Sequence, residues 1–139
     1  MNCYLVIKGR PITKKNSSRY VGAGRLLPSK QYKAYEEDAL WQLRWQWQGK
    51  KSIDRAVHVT ALYYMPNRIG WPDLVGLEQA TADILEKAGV IADDGFIADW
   101  DGSCIAAIDK ENPRVKIFLD TSDCTLNYLH PKLRKGACK

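Results

Sequence analysis

Carboxylates are concentrated in one short part of this chain. Eight of them fall between residues 73 and 101, where Lys87 is the only basic side chain. Two or three carboxylates that converge in a polar cleft suit a hard divalent cation with oxygen ligands, and such a cation can activate a water beside a phosphate. The eight residues are Asp73, Glu78, Asp83, Glu86, Asp93, Asp94, Asp99 and Asp101.

Asp73 and the Asp93-Asp94 pair are the parts of this segment that we expect to meet in a metal site. A helix predicted between them is followed by the apolar Val90-Ile91, which can carry the chain back toward the helix start. Taken alone, Asp73 is better explained as a helix N-cap, and many Asp-Asp pairs are simple turns.

Asp83 shares one line along the same predicted helix with Val75 and Gln79, because the three are spaced four residues apart. This line of side chains faces a metal cleft only if Asp73 lies in that cleft. Two interpretations of Asp83 therefore stay open. It is either a further carboxylate of the site or a structural acceptor that bonds a neighbouring loop.

Basic residues dominate the N-terminal part of the chain. The first 35 residues carry eight Lys and Arg and no Asp or Glu. A basic arm beside an acidic centre suits a polyanion bound by one part and a cation held by the other, although two solvated faces would give the same pattern. Trp71 could stack on an unpaired base, but packing at the core or its rim is the favoured interpretation. The expected phosphate contacts are Lys14, Lys15, Arg19 and Arg25, with a hydrogen bond from Asn16.

Composition excludes several classes of protein. The chain has 139 residues, of which 45% are hydrophobic and 27% charged, and this fits one globular domain. It has no apolar run of the roughly 18 residues that a membrane span needs, and its N-terminus lacks the features of a signal peptide, so we expect a cytoplasmic protein. The four cysteines are scattered and form no Cys-x-x-Cys pair, which argues against zinc.

The hydrophobic pattern predicts an α+β fold in a single small domain at residues 1–120. We expect a mixed β-sheet with two main helices packed on one face. Residues 121–139 are basic and are expected to form a partly mobile tail. Helices are predicted at 30–48 and 74–88, and strands at 2–8, 56–65, 96–108 and 114–119, with a break in the third near Asp101-Gly102 and a polar loop at 13–28.

The first predicted helix has aromatic residues on two faces. Tyr32 and Tyr35 lie on one face, while Trp41 and Trp45 lie on another. The second face packs either on another subunit or within a wide core contact of one subunit, and the sequence leaves both possibilities open.

The acidic segment resembles the signature of the RusA-like Holliday-junction resolvases. That signature reads approximately Asp-x-Asp-Asn-x-x-Lys-Ala-x-x-Asp-x-Leu, then Ala-Gly, then Asp-Asp. Residues 73–94 match it without a gap, as DLVGLEQATADILEKAGVIADD. The N-terminal block, with Gly9-Arg10-Pro11 and Lys14-Lys15-Asn16, also looks like the family's opening strand and basic loop.

The resemblance implies a small homodimeric α+β endonuclease that needs Mg²⁺ or Mn²⁺ and nicks four-way or branched double-stranded DNA during recombination or repair. By position, Asp73 and Asp94 resemble the family's first and last catalytic carboxylates, and these two are the implied metal ligands. Asp83 and Asp93 resemble further acidic positions of the signature. The family is common in phages and prophages.

Three departures from the signature fall in its middle. Val75 stands where the second Asp is expected, Gly76 replaces the Asn, and Gln79 replaces the Lys. One interpretation is a rebuilt site, in which Glu78 or Asp101 supplies a carboxylate, and Lys87 or a basic residue of the N-terminal loop supplies the cation. The alternative is a catalytically impaired RusA-like protein that binds branched DNA without cutting it. We favour the rebuilt site because the carboxylates remain dense.

Overall fold

A mixed sheet forms the centre of the molecule. The computed structural model describes residues 2–14, 18–20, 26–28 and 30–121, with side chains for 2–14 and 30–121. In the described ranges the strands are β1 (Asn2–Lys8), β2 (Ser18–Tyr20), β3 (Leu26–Pro28), β4 (Val57–Met65), β5 (Ile97–Asp99), β6 (Cys104–Ile108) and β7 (Arg114–Asp120). β1, β7 and β4 are neighbours in that order and antiparallel, and β5 and β6 both lie parallel to β4 on its other side.

Strand β4 shows why the sheet has one buried face. Its side chains alternate between fully buried and half-buried along its whole length, as expected when one face of a strand packs on a core. The register carries this alternation onto the neighbouring strands, since Val59 is paired with Leu119 and Leu119 with Cys3. The buried face is completed by Leu5 and Ile7 of β1 and by Val115, Ile117 and Leu119 of β7.

Two helices cover this face, α1 (Lys30–Gln46) and α2 (Leu74–Lys87). Their buried side chains belong to the same core cluster as the inward residues of the sheet. Each helix is followed within three residues by a glycine with a φ of +79°, Gly49 after α1 and Gly89 after α2, a conformation that glycine adopts without the penalty other residues have. The α+β fold with two helices on one face of a mixed sheet is confirmed.

Trp41 and Trp45 lie on the outer side of α1 and do not join the core. They are 68% and 69% exposed, whereas Tyr32, Tyr35, Ala39 and Leu43 of the same helix are buried. A single-subunit core contact therefore does not account for the second aromatic face of this helix.

The structure differs from the sequence predictions in two places. Residues 13–28 were predicted as a loop, but β2 and β3 pair there as a short antiparallel hairpin. Helix α1 ends at Gln46 instead of residue 48. The predicted break in the third strand is confirmed, because β5 and β6 are separated at Asp101-Gly102. The basic tail predicted at residues 121–139 falls, from residue 122 on, outside the described residues and stays a prediction. Within the described ranges, no helix is both long enough and apolar enough to cross a membrane.

Candidate active site

Three carboxylates meet at the C-terminal end of α2. One oxygen from each of Glu86, Asp93 and Asp94 lies within 4.8 Å of the others. The chain turns at Gly89 and then runs beside Ile53, which pairs with Ile91 in an isolated parallel bridge. We call Glu86, Asp93 and Asp94 the acidic trio.

Backbone hydrogen bonds fix the return of the chain to this point. The Ile53 N–H donates to the Val90 carbonyl at 2.9 Å, and the Ala92 N–H donates to the Ile53 carbonyl at 2.9 Å. Val90 and Ile91 are fully buried. Because this two-residue run is anchored in the core, the residues after it emerge directly beside the last turn of α2.

The trio is also linked by its own hydrogen bonds. The Asp94 N–H donates to Glu86 Oε1 at 2.9 Å, and the Gly95 N–H donates to Asp93 Oδ1 at 2.8 Å. Asp93 thereby caps a single turn of 3₁₀-helix at Asp94–Phe96. Both carboxylates keep further lone pairs for another partner.

The electrostatics of the trio favour a cation. Partial burial, followed by the nearby carboxylates of Glu86 and Asp93, raises the pKa of Asp94 above its usual range. Like charges this close disfavour each other's ionised form, and a bound divalent cation would offset that repulsion. Oxygen-only donors fit Mg²⁺ or Mn²⁺ better than zinc.

Asp73 occupies the opposite end of α2. It is the N-cap residue, with extended backbone angles, but its side chain makes no capping hydrogen bond. Its carboxylate lies over Gly76 instead. A Cβ atom built on Gly76 would stand 2.7 Å from Asp73 Oδ1 and 3.1 Å from Thr13 Cγ2. The exposed Asp73 carboxylate is therefore available for a function other than capping.

Within one chain, Asp73 and Asp94 are not brought together. Thirteen residues separate Asp73 from Glu86, which accepts a hydrogen bond from Asp94, and this helical span corresponds to about 20 Å along the axis. The return through Val90-Ile91 leads to the C-terminal turn of α2 instead of to its start. The acidic segment thus has two separate carboxylate positions in one subunit.

Asp83 lies between these positions and belongs to an ion-pair network. Its Oδ2 is 2.9 Å from Lys14 Nζ and 3.2 Å from Lys87 Nζ. Lys87 Nζ is also 3.1 Å from Glu36 Oε2 on α1. Partial burial works to raise the pKa of Asp83, but the two ammonium groups outweigh it and hold that pKa below its usual range. These contacts favour the structural interpretation of Asp83.

The basic loop is represented among the described side chains by Lys14. Its side chain is half-exposed while its ammonium group pairs with Asp83, so it is held near α2 without being buried. The predicted DNA contacts Lys15, Asn16 and Arg25 lie outside the described residues, and Arg19 is described only as backbone in β2. Their roles stay predictions.

Residues 8–120 match the family model of Endodeoxyribonuclease RusA. The chain belongs to the RusA family of endodeoxyribonucleases. The crossover junction endodeoxyribonuclease RusA of Aquifex aeolicus (strain VF5) is 30% identical to it over 93 residues, which are 67% of this chain and 72% of that relative. The family match includes Lys14, Asp73 and the acidic trio, so both ends of α2 fall inside the RusA region.

The departures from the RusA signature can now be placed on α2. Val75 is 61% exposed and Gln79 is exposed, so neither position is closed off by packing. Glu78 is half-buried, and burial raises its pKa. Neither Glu78 nor the exposed Asp101 is part of the acidic trio. A compensating role for Glu78 or Asp101 therefore stays a prediction.

Glu86 is a candidate metal ligand that the sequence analysis missed. It was counted among the eight carboxylates, but it was not singled out as a ligand. One signal was present: Glu86 lies in the last turn of a helix that ends just before Asp93-Asp94. That signal becomes specific only when the pairing of Ile53 with Ile91 shows where the chain returns.

Proposed function

We propose that this chain is a divalent-metal-dependent endodeoxyribonuclease that nicks four-way or otherwise branched DNA, with Mg²⁺ or Mn²⁺ as its cofactor. The acidic trio is the observation that carries the proposal, because three converging carboxylates inside a RusA-family domain suit such a cation. The Aquifex relative is named a crossover junction endodeoxyribonuclease, and this supports the choice of substrate.

Different residues of this chain would bind the cation and the DNA phosphate. Glu86, Asp93 and Asp94 would hold the cation, which when bound offsets phosphate charge and lowers the pKa of a water. Asp94 is the exposed member of the trio and is accessible to a DNA backbone. Lys14, kept beside α2 by Asp83, would bind a neighbouring phosphate and contribute a strongly salt-dependent share of the affinity.

A homodimer would join the two ends of α2. The outer side of the helical layer carries exposed apolar residues, Trp41 and Trp45 on α1 and Val75 on α2, and such patches often mark protein contacts. If two copies meet there about a two-fold axis with their α2 helices antiparallel, Asp73 of each copy approaches the acidic trio of the other. We propose that each cleavage centre is composite in this way.

Cleavage of a labelled four-way junction tests the proposed activity. Wild-type protein should nick the junction with Mg²⁺ and not with EDTA. Asp94→Asn and Glu86→Gln should each lower the single-turnover rate by about 100-fold or more, as expected when a group that serves transition-state charge is lost. Glu37→Gln, which neutralises an exposed carboxylate on α1, is the matched control. No cleavage by wild type, or undiminished cleavage by both site variants, contradicts the proposal.

The second candidate is a RusA-family protein that binds branched DNA without cutting it. The exposed Val75 and Gln79 favour it, because they stand where the family signature has an Asp and a Lys. This candidate predicts tight, salt-sensitive junction binding by the wild type and no Mg²⁺-dependent product. Binding and cleavage of the same junction, measured side by side, distinguish the two.

A further inference from the structure

A groove of about 390 Å³ opens directly before α2. Its walls come from the segment that follows β1, from the start of α1 and from the loop that leads to Asp73. The polar and aromatic side chains that line it are Arg10, Thr13, Gln31 and Trp71.

Hydrogen bonds hold two walls of the groove in place. The Arg10 guanidinium donates to the Ile69 carbonyl at 2.5 Å, a contact across 59 residues of sequence. The Ile69 N–H in turn donates to Asn67 Oδ1 at 2.9 Å. Gly70 follows with a φ of +62°, which turns the chain so that Trp71 borders the same groove as Arg10. The guanidinium and the indole are therefore positioned by the fold.

Trp71 is not a core residue. It is 46% exposed, so the packing role favoured from the sequence accounts for only part of its surface. An exposed indole beside a guanidinium offers a face on which a base can stack and a cation for its phosphate. The exposed amide of Gln31 adds a donor and an acceptor for a base edge.

The charge and size of the groove narrow the choice of ligand. Among the described residues, those that line the groove include no carboxylate, and Arg10 gives it a positive wall. Its volume lies at the small end of the range for ligand sites, which suits one nucleotide better than a duplex. Asp73 follows Trp71-Pro72 immediately, so an occupant would lie next to one of the two acidic positions of α2.

We propose that this groove binds a single unpaired nucleotide at the branch point of the DNA, with Trp71 stacking on the base and Arg10 contacting its phosphate. The inference rests on the proposed function for its substrate class. It adds a specificity: the protein would prefer branched DNA that has an extrahelical nucleotide over fully paired junctions.

Metal-free binding measurements test the groove without depending on cleavage. Two junctions of the same sequence, one fully paired and one with an unpaired 2-aminopurine at the branch, are titrated in EDTA and followed by anisotropy. Trp71→Ala should weaken binding of the unpaired form by roughly 5- to 150-fold, the range for loss of one stacked base. It should leave binding of the paired form within about twofold. Trp71→Phe should restore most of the preference.

Fluorescence of the 2-aminopurine gives a readout that a merely structural role would not move. Stacking on Trp71 should quench it in the wild-type complex, and Trp71→Ala should remove the quenching. Arg10→Ala should reduce the dependence of the binding constant on salt by about one phosphate contact. Tyr4→Ala, which removes an aromatic ring that is 52% exposed on β1, is the matched control and should behave as wild type.

The outcomes separate this inference from the proposed function. Equal loss of binding to both junctions in Trp71→Ala, or unchanged quenching, overturns the nucleotide site. A preference for the unpaired form that depends on Trp71, in a protein that does not cleave with Mg²⁺, supports the groove and contradicts the nuclease.

Discussion

Gly76 gives the Asp73 carboxylate its place on α2. A glycine inside a helix lowers stability by roughly 1 kcal/mol relative to alanine, yet a side chain here would meet Asp73 Oδ1 and the buried Thr13. The space over the first turn of the helix is therefore occupied by the Asp73 carboxylate.

Gly76→Ala should therefore lower the cleavage rate while it changes the stability little. The gain in helix propensity, about 1 kcal/mol, opposes the cost of displacing Thr13, so the free energy of unfolding in urea should change by less than about 1 kcal/mol. A displaced Asp73 should lower the cleavage rate roughly 10- to 100-fold, as small misplacements of catalytic groups do. If the loss acts through Asp73, adding Asp73→Asn to Gly76→Ala causes little further loss, whereas independent effects would multiply.

Asp94 should lower the stability of the metal-free protein at neutral pH. Burial and the carboxylates of Glu86 and Asp93 raise its pKa in the folded state, so its contribution to stability falls as the pH rises through that raised pKa. Asp94→Asn should therefore melt at a higher temperature than wild type at pH 7 without metal, and the two should converge at a pH well below 4. The effect is small because Asp94 is exposed and solvent screens it.

Adding Mg²⁺ should reverse the order of the melting temperatures, so that wild type melts above Asp94→Asn. Wild-type protein should gain melting temperature with Mg²⁺ concentration through binding to the folded state, and Asp94→Asn should not. Glu37→Gln serves as the control and should shift with Mg²⁺ as wild type does. An equal Mg²⁺ shift in Asp94→Asn would show that the trio is not the cation site.

At the residue scale, the sequence identifies the carboxylates but not their grouping. Asp73, Asp93 and Asp94 stand out by type and spacing, and the family signature includes them. Glu86 joins Asp94 only because Ile53 pairs with Ile91, a contact across 38 residues that no local pattern contains. The separation of Asp73 from the trio has the same origin, since it depends on which end of α2 the chain returns to.

At the scale of elements, one ion-pair network connects the basic loop with both helices. Asp83 of α2 pairs with Lys14 and Lys87, and Lys87 pairs with Glu36 of α1. Ion pairs of lysine side chains that are nearly half-exposed contribute little individually, but a network holds several elements in register. This network holds Lys14 against α2, between the two acidic ends of the helix.

Asp83→Asn should reveal this role through its pH dependence. The two lysines hold the pKa of Asp83 below its usual value, so its stabilisation is present above about pH 4 and is lost as the pH falls through the lowered pKa. The variant should be less stable by about 0.5–1 kcal/mol at pH 7 and equal to wild type near pH 2, as measured by urea unfolding. A cleavage rate within about twofold of wild type confirms a structural role, and a loss of 100-fold indicates a catalytic one.

The predicted elements match the structure where the residue pattern and the flanking turn residues indicate the same boundary. α2 shows an apolar periodicity that ends before Gly89, and β4 is rich in β-branched and aromatic residues and ends before Pro66, so both were bounded within a residue or two. The hairpin of β2 and β3 was missed because three-residue strands with basic and glycine-rich surroundings carry no alternation. Their pairing is a tertiary outcome that short sequence windows cannot specify.

At the scale of the whole molecule, the proposed homodimer would decide where the two acidic positions of α2 meet. In the described part of the chain, α2 presents Asp73 at one end and the acidic trio at the other, about 20 Å apart. A single copy would leave each acidic position incomplete if both serve one cation. A two-fold axis across the helical layer gives two identical centres, which suits paired nicks on a symmetric four-way junction.

Mixing two inactive variants tests this composite arrangement. Asp73→Asn and Asp94→Asn are each expected to be inactive as pure homodimers. In a mixed dimer, one centre combines the intact Asp73 of one copy with the intact Asp94 of the other, and the second centre carries both changes. Random mixing should therefore restore roughly a quarter of the wild-type nicking rate, since half of the dimers are mixed and each has one good centre.

If instead both carboxylates act within one copy, every centre in the mixture lacks one of them, and the activity stays at the level of the separate variants. A mixture of Asp94→Asn with Glu86→Gln is the internal control. Each centre takes its whole trio from one copy, so every centre in this mixture carries one of the two changes. That mixture should stay inactive in either arrangement, so recovery confined to the Asp73 and Asp94 pair would place the two acidic ends of α2 in one centre across the subunit boundary.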